Sequence, residues 1–217
     1  MLKKLTEDTR ANILEIGISE FAVHGPDRAN MAEIARKAGI SVGVLYKYYA
    51  DKDAFFTACL QRSLDALRAV LEGIVAREGR IFSYAEAVIR AVQQYAREHA
   101  DYMRMYLQIT ACGNQAHAAC LADTIESISA SLYTETIRAA QSRGDVRRDM
   151  DPRLFAFFFD NLLMMMQFSY CCDYYKARFQ RYCGDGILED NETVVQELLK
   201  FLESAFTLEQ SEISHRH

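Results

Sequence analysis

The stretch that decides the fold reads Asn30-Met-Ala-Glu-Ile-Ala-Arg-Lys-Ala-Gly-Ile-Ser-Val-Gly-Val-Leu-Tyr-Lys-Tyr-Tyr49. Met31, Ile34, Ala35 and Ala38 fall at i, i+3, i+4 and i+7, one stripe of a helix with Glu33, Arg36 and Lys37 outside it. Asn30 is placed to cap that helix and Gly39 to end it. Ile40 anchors the turn, and Ser41 caps a second helix whose inward stripe is expected at Val42, Leu45, Tyr46 and Tyr49. Gly43, Val44, Lys47 and Tyr48 remain for the outer face. An idle surface helix carries Glu, Lys, Gln and Arg there, whereas this one offers bare backbone, methyl groups, a cation and a phenol, a surface suited to being covered. Two short helices joined by a Gly-containing turn, the second exposing such groups, have the sequence form of a helix-turn-helix with Ser41 to Tyr49 as recognition helix.

The run from Ile34 to Tyr49, followed by Asp51-Lys-Asp-Ala-Phe-Phe56, resembles the DNA-binding signature of the TetR family of bacterial transcriptional regulators. The likeness covers about Thr9 to Phe56; beyond it the chain resembles the family in length and helix pattern. Two positions depart from the family's habit. Val42 stands where a hydrophilic residue is usual, and Asn30 stands where Thr or Ser is common.

Residue chemistry assigns roles on this face. Gly43 lets the helix approach a groove, Val44 meets a thymine methyl, and Lys47 reaches a phosphate or a guanine edge. Tyr48 donates to a phosphate. Lys52 lies in the first turn of the following helix, where a cation opposes the helix dipole and is best explained by an external anion such as phosphate. Asn30, Ser41 and Val42 complete the expected DNA-binding set. Two copies spaced by one DNA turn, about 34 to 36 Å, are needed for useful affinity, so a homodimer on a pseudo-palindromic operator is expected.

Composition agrees with an all-α chain. Among 217 residues there are two prolines and ten glycines, so strand punctuation is scarce and long helices are allowed nearly everywhere. The net charge of −5 excludes a protein that coats nucleic acid through bulk basicity. Eight Lys/Arg and seven Asp/Glu lie in residues 1 to 52, so any DNA contact comes from a small local patch. Six cysteines without disulfide-scaffold density, and a start that leads directly into a charged helical pattern, indicate a cytoplasmic protein. The apolar run Leu154 to Cys172 is interrupted by Asp160, Asn161 and Gln167 and reads as a buried helix, not a membrane span.

About nine helices are expected in two domains: a helix-turn-helix domain over 1–52, a ligand-binding and dimerisation domain over 53–210, and a flexible tail over 211–217. Thr6 caps the first helix, with Ala11, Leu14, Ile18 and Phe21 inward and His24-Gly25-Pro26 at its end. A long fourth helix follows Asp51, with Phe56, Leu60, Leu64, Leu67, Val70, Leu71 and Ile74 at helical spacing. Residues 76–80 read as a linker, and Ser83-Tyr-Ala-Glu86 as a capping box that starts the next helix. A helix from about Ala116 ends at Gly144, and Asp151-Pro152 starts another that is apolar almost all round. Phe179 to Glu189 reads as a loop. The last helix offers Val194, Leu198, Phe201, Leu202 and Ala205 as one stripe, widened by Val195, Leu199 and Phe206. A helix that is apolar all round needs a second apolar partner, and a four-helix seam between two subunits supplies it.

Met and aromatic side chains suit adaptable apolar pockets, which gives an expected effector set of Leu67, Val92, Met103, Tyr106, Cys112, Ile125, Met164, Met165 and Phe168. Most such residues in any helical protein are simply core. Cys112, His117 and Cys120 form no recognised zinc spacing, so no metal site is expected; a metal or thiol sensor on this segment is the alternative reading. No Gly-rich phosphate loop, Ser elbow or His-Glu-x-x-His helix is present, which leaves no support for an enzyme and no cofactor. The resemblance implies a ligand-responsive repressor, released from its operator by a small apolar or aromatic effector.

Overall fold

Ten α-helices and one 3-10 turn make up the residues that the computed structural model describes, 5–75, 80–111 and 115–207. No strand occurs among them. The side chains of residues 75, 109–111, 115–121, 124 and 125 lie outside that description, as do the proposed linker at 76–79 and the tail from 208. The chain divides into two compact units: Met1–Leu67 with His99–Ala118, and Arg68–Glu98 with Ala119–His217.

The first unit is built on α1 (Glu7–Arg28), whose N-terminus is capped by Thr6 through a 3.2 Å bond from the Thr9 N–H. Its helical path breaks at Gly25, where φ is 71°, a left-handed value that glycine adopts without steric cost. Pro26 then opens one further turn, so the chain continues beyond the expected end. The buried stripe is Ile13, Gly17, Ile18 and Phe21, displaced from the expected one: Ala11 and Leu14 are only half-buried. The cause is α4 (Lys52–Val75), which lays Phe55 and Cys59 against Gly17. A Cβ at Gly17 would stand 2.5 Å from the Phe55 ring. Phe55 and Cys59, not Phe56, are therefore the deepest side chains at the start of α4, and Phe56 meets Phe21 edge-on at 4.9 Å.

A shared carboxylate joins α1 to two more helices. Glu15 accepts from Arg62 on α4 at 2.6 Å and from the Tyr102 hydroxyl on α6 (Ala100–Ala111) at 2.7 Å. Burial, then the Glu15 carboxylate, pushes the Tyr102 phenol up to about 12. Burial also pushes the Cys59 thiol up, so this cysteine behaves as a small apolar group.

In the second unit α5 (Ile81–Glu98) begins two residues before the expected capping box. Ile81 is drawn into the core, the Arg80 carbonyl accepts from Tyr84, and Glu86 pairs with Arg90 rather than reaching back to cap. Its inward side is Val88, Ile89, Val92, Tyr95 and Ala96, as the spacing predicts. Helix α7 (Gln115–Arg143) stops at Gly144, with φ of 80°; among its described side chains Tyr133, Ile137 and Ala140 are buried, while Ile128 and Leu132 are half-buried. Asp151 caps α8 (Pro152–Cys171) through the Arg153 N–H at 2.8 Å, with Pro152 in the first turn.

Ten α-helices among the described residues agree with the expected number of about nine, the additional one lying where a loop is expected. Helix α9 (Asp173–Cys183) ends at Gly184, with φ of 90°, and the 3-10 turn Asp185–Leu188 follows. It buries no residue, so it leaves no apolar periodicity to read; ring contacts of Tyr175 with Phe168 and of Phe179 with Tyr170 hold it. Asp190 then caps α10 (Asn191–Thr207) through the Thr193 N–H. The stripe of α10 also differs from expectation. Val195, Leu199, Leu202 and Phe206 form the buried side, while Val194, Leu198 and Ala205 are half-buried and Phe201 is exposed.

Candidate nucleic-acid interface

The local chain from Asn30 to Tyr49 folds as its caps dictate. Asn30 Oδ1 accepts from the N–H groups of Ala32 and Glu33, at 2.9 and 3.4 Å, and opens α2 (Met31–Lys37). Gly39, with φ of 68°, turns the chain, and the Ser41 hydroxyl accepts from the Val44 N–H at 3.3 Å to open α3 (Val42–Tyr48). Side chains thus satisfy two of the orphan donors at the start of α2 and one at the start of α3. The α2 stripe Met31, Ile34 and Ala35 is buried, as is Leu45 on α3.

A buried acid locks this pair of helices to α1. Glu20 is buried, yet one oxygen accepts from Lys37 Nζ at 2.9 Å and the other from the Asn30 N–H at 3.4 Å. One carboxylate therefore holds both ends of α2. His24, expected only as a helix-end residue, is exposed and sits 3.7 Å from Glu20.

The exposed face of α3 differs in part from the sequence expectation. Leu45 and Tyr49 point inward, Tyr49 meeting the Phe55 ring edge-on at 4.8 Å. Val42 and Tyr46, both expected inward, are 39% and 45% exposed. Seven residues make fewer than two full helical turns, so two anchors, Leu45 and Tyr49, suffice and the neighbours on either side turn to solvent. Ser41, Gly43 and Lys47 are exposed with them, and Val44 is half-buried. Tyr46 is thus a face residue that sequence reasoning missed; the i, i+4 spacing of Leu45 and Tyr49 was the available signal.

Two expected DNA contacts have partners within the protein. Tyr48 is half-buried, its oxygen accepts from the Leu5 N–H at 2.8 Å, and Arg10 lies 6.0 Å from its ring. The hydroxyl proton is still available to an acceptor outside. Lys52 Nζ donates to the Asp27 carbonyl at 2.7 Å, which accounts for a cation in the first turn of α4 without an external anion. Lys47 has no partner among the described residues. Chemically, the face offers one free ammonium, one exposed phenol, methyl groups of Val42, and at Gly43 a backbone with no side chain above it.

The expected effector residues are divided between the units. Leu67, Met103 and Tyr106 belong to the first; Val92, Met164, Met165 and Phe168 belong to the second. Cys112 and the Ile125 side chain lie outside the described residues. Within the second unit Met164 opens onto a groove of about 670 Å³ between α7 and α8, with Glu126, Ser129, Phe157, Asp160 and Asn161. Burial first, then the Glu126 carboxylate, pushes Asp160 up to about 6, against a hydrogen bond from Ser129. In the same unit the Tyr84 hydroxyl is buried without a hydrogen-bond partner, in a small cavity shared with Tyr133, Thr136, Phe159 and Phe206.

No group of three or more His, Cys, Asp or Glu among the described residues is arranged to hold a metal. Cys112 and the side chains of His117 and Cys120 are outside them. Helix α8 is long and apolar enough by length and composition to cross a membrane, but half of that stretch is buried within the protein.

Comparison with known proteins points the same way as the α2–α3 geometry. Residues 13–59 match the family model of bacterial regulatory proteins, tetR family. The nucleoid occlusion factor SlmA of Actinobacillus pleuropneumoniae serotype 5b (strain L20) is 26% identical over 106 residues, 48% of this chain and 52% of that protein. The HTH-type transcriptional activator FasR of Mycolicibacterium smegmatis is 42% identical over 65 residues, 30% of each chain. The chain thus spans about half the length of SlmA and less than a third of FasR. Among solved structures, the transcriptional regulator FadR of Bacillus subtilis in complex with stearoyl-CoA superposes with a TM-score of 0.70 at 14% identity, covering 88% of this chain and 97% of that one. At that identity the likeness is one of fold.

Proposed function

We propose, from the match of residues 13–59 to the family model of bacterial regulatory proteins, tetR family, that this chain is a DNA-binding transcriptional regulator of that family whose α3 reads a major groove. The observation that carries this reading is the α3 face: Val42, Gly43, Tyr46 and Lys47 are exposed together on a helix capped at Ser41 and fixed from behind by Leu45 and Tyr49. Lys47 supplies the charge-assisted contact to a phosphate or guanine edge, and Val42 and Tyr46 supply apolar and stacking surface. Asn30 and Ser41 cap the two helices of the motif, and the Tyr48 hydroxyl proton acts at the edge of the face.

The protein works as a homodimer on a pseudo-palindromic operator. Leu154, Phe157 and Phe158 of α8 and Phe201 of α10 are exposed, which is costly in water and suits a seam between two copies. The second unit takes a small apolar or aromatic effector, and FadR, described with stearoyl-CoA, makes an acyl thioester one candidate. The groove of about 670 Å³ between α7 and α8, with Met164, Ala156 and Ser129 on its wall, supports such a site. Repression is the expected direction, although FasR is an activator: the sign depends on where an operator lies relative to its promoter. A cytoplasmic location follows from this role.

The test is a footprint on DNA flanking the chain's own gene, at two salt concentrations. A protected palindrome whose protection weakens with salt is expected; an intact dimer with no protected palindrome overturns the reading. Lys47→Ala should weaken operator binding about tenfold and lower the salt slope by about one, with dimerisation unchanged.

A further inference from the structure

Cys171 and Cys172 close α8 and open α9, and their sulfurs face each other at 3.6 Å. Adjacent residues in a continuous helix would point their side chains about 100° apart. Here Cys172 has left the helix, with φ of −111° and ψ of 127°, and that extended step turns its thiol back toward Cys171. Cys171 is fully buried and its Sγ donates to the Gln167 carbonyl at 3.2 Å; Cys172 is 7% exposed.

We propose that this pair is a dithiol site for a trivalent organoarsenical, taken up as a cyclic dithiolate. The separation selects the class. A disulfide needs its sulfurs at about 2.05 Å, which would require them to close by roughly 1.5 Å within a ring formed by neighbouring residues. Two sulfurs held about 2.3 Å from one soft centre stand about 3.5 to 3.8 Å apart, for angles between roughly 100° and tetrahedral, which matches the spacing present. A linear two-coordinate ion such as Cu(I) holds its sulfurs farther apart. Zinc requires further protein ligands, and no group of three or more metal-ligating side chains occurs among the described residues.

Burial selects the same class. Cys171 and Cys172 are buried together with Phe168, Tyr170 and Gln167. An arsenical of the form R–As(OH)2 reacts with two neutral thiols: two As–S bonds form, two As–O and two S–H bonds break, and each thiol proton leaves on a hydroxyl as water. Arsenic stays trivalent throughout and the product is neutral, suited to an apolar site. Cys172 keeps 7% of its surface in solvent, and α9 starts at the residue after it.

The experiment is intact-mass spectrometry of the native full chain with phenylarsine oxide, in a phosphine reductant free of thiols. The expected result is one phenylarsenic adduct per chain that is removed by a small dithiol but not by an equal concentration of monothiol. Cys171→Ser and Cys172→Ser should each abolish it, and Cys112→Ser/Cys120→Ser should keep it. Wild-type protein with no adduct, or an adduct that survives Cys172→Ser, overturns the proposal. Should a serine variant fail to fold, peptide mapping of the wild-type adduct decides: arsenic on the peptide holding residues 171 and 172 supports the site, and arsenic elsewhere overturns it.

Discussion

The outer faces of α3 and α8 both leave large side chains in water, but for different reasons. On α3 the exposed groups are mixed: Val42 and Tyr46 beside Lys47 and a bare Gly43. On α8 they are Leu154, Phe157 and Phe158, with Phe157 61% exposed, and the one exposed cation beside them, Arg153, is already paired with Asp151. A mixed face with a free cation fits a polyanion whose groove is lined by phosphates, methyls and base edges. An apolar face fits another apolar face, and a copy of itself is the simplest partner. The comparison shows that an exposed hydrophobic residue carries information only together with the charge beside it.

The largest expected effect separates the two faces. Phe157→Glu/Phe158→Glu should raise the dimer dissociation constant by at least about a hundredfold, since central aromatic anchors contribute about 2 kcal/mol or more each. Sedimentation velocity, with circular dichroism as a check on folding, would measure it. A dimer of unchanged affinity would remove α8 from the seam and leave its exposed rings without a role.

Next in size is a test of the support behind α3. Gly17→Ala should destabilise the protein by about 2 to 3 kcal/mol in denaturant unfolding, because the new methyl would meet the Phe55 ring at 2.5 Å and Cys59 Sγ at 2.8 Å. A loss below about 0.5 kcal/mol would mean that Phe55 yields easily, so that the platform for the DNA face is softer than its packing implies.

Asp160 lies beside the apolar face of α8, and its carboxyl is held up to about 6, above the ordinary 3.8. Between those values the folded chain keeps a proton that the unfolded chain has released. This group's contribution to stability therefore falls as pH rises from about 4 to about 6 and stays low above that. Asp160→Asn should remove that slope and add about 2 kcal/mol at pH 7, read from urea unfolding at several pH values. An unchanged slope would place the carboxyl in better contact with water than its burial indicates.

The smallest effect concerns the interior of the second unit. Tyr84→Phe should change stability by less than about 1 kcal/mol, and in the favourable direction, because it deletes a buried hydroxyl without a partner. Calorimetric unfolding would detect it. A loss above about 1 kcal/mol would show that the hydroxyl is already satisfied, with Thr136 beside it as the partner.

Helix starts and stops in both units were legible in the sequence because their signals are local. Asn30, Ser41, Thr6, Asp51 and Asp151 cap as their side-chain chemistry predicts, and Gly39 and Gly144 stop helices with positive φ. Where expectations failed, the deciding interaction came from another helix. Phe55 and Cys59 moved the stripe of α1, the burial of Ile81 started α5 early, and Tyr175 and Phe179 held a helix with no apolar stripe of its own.

By itself, then, the sequence determined an all-α chain, the helix-turn-helix and its caps, since backbone donors are satisfied by side chains two or three residues away. Only the tertiary structure decided which side chains around Leu45 turn outward, that Lys52 is held by the Asp27 carbonyl, that one buried Glu20 secures both ends of α2, and that two adjacent thiols face each other. Such outcomes depend on which surfaces meet after the helices pack, and hydrophobic periodicity along one helix does not contain that information.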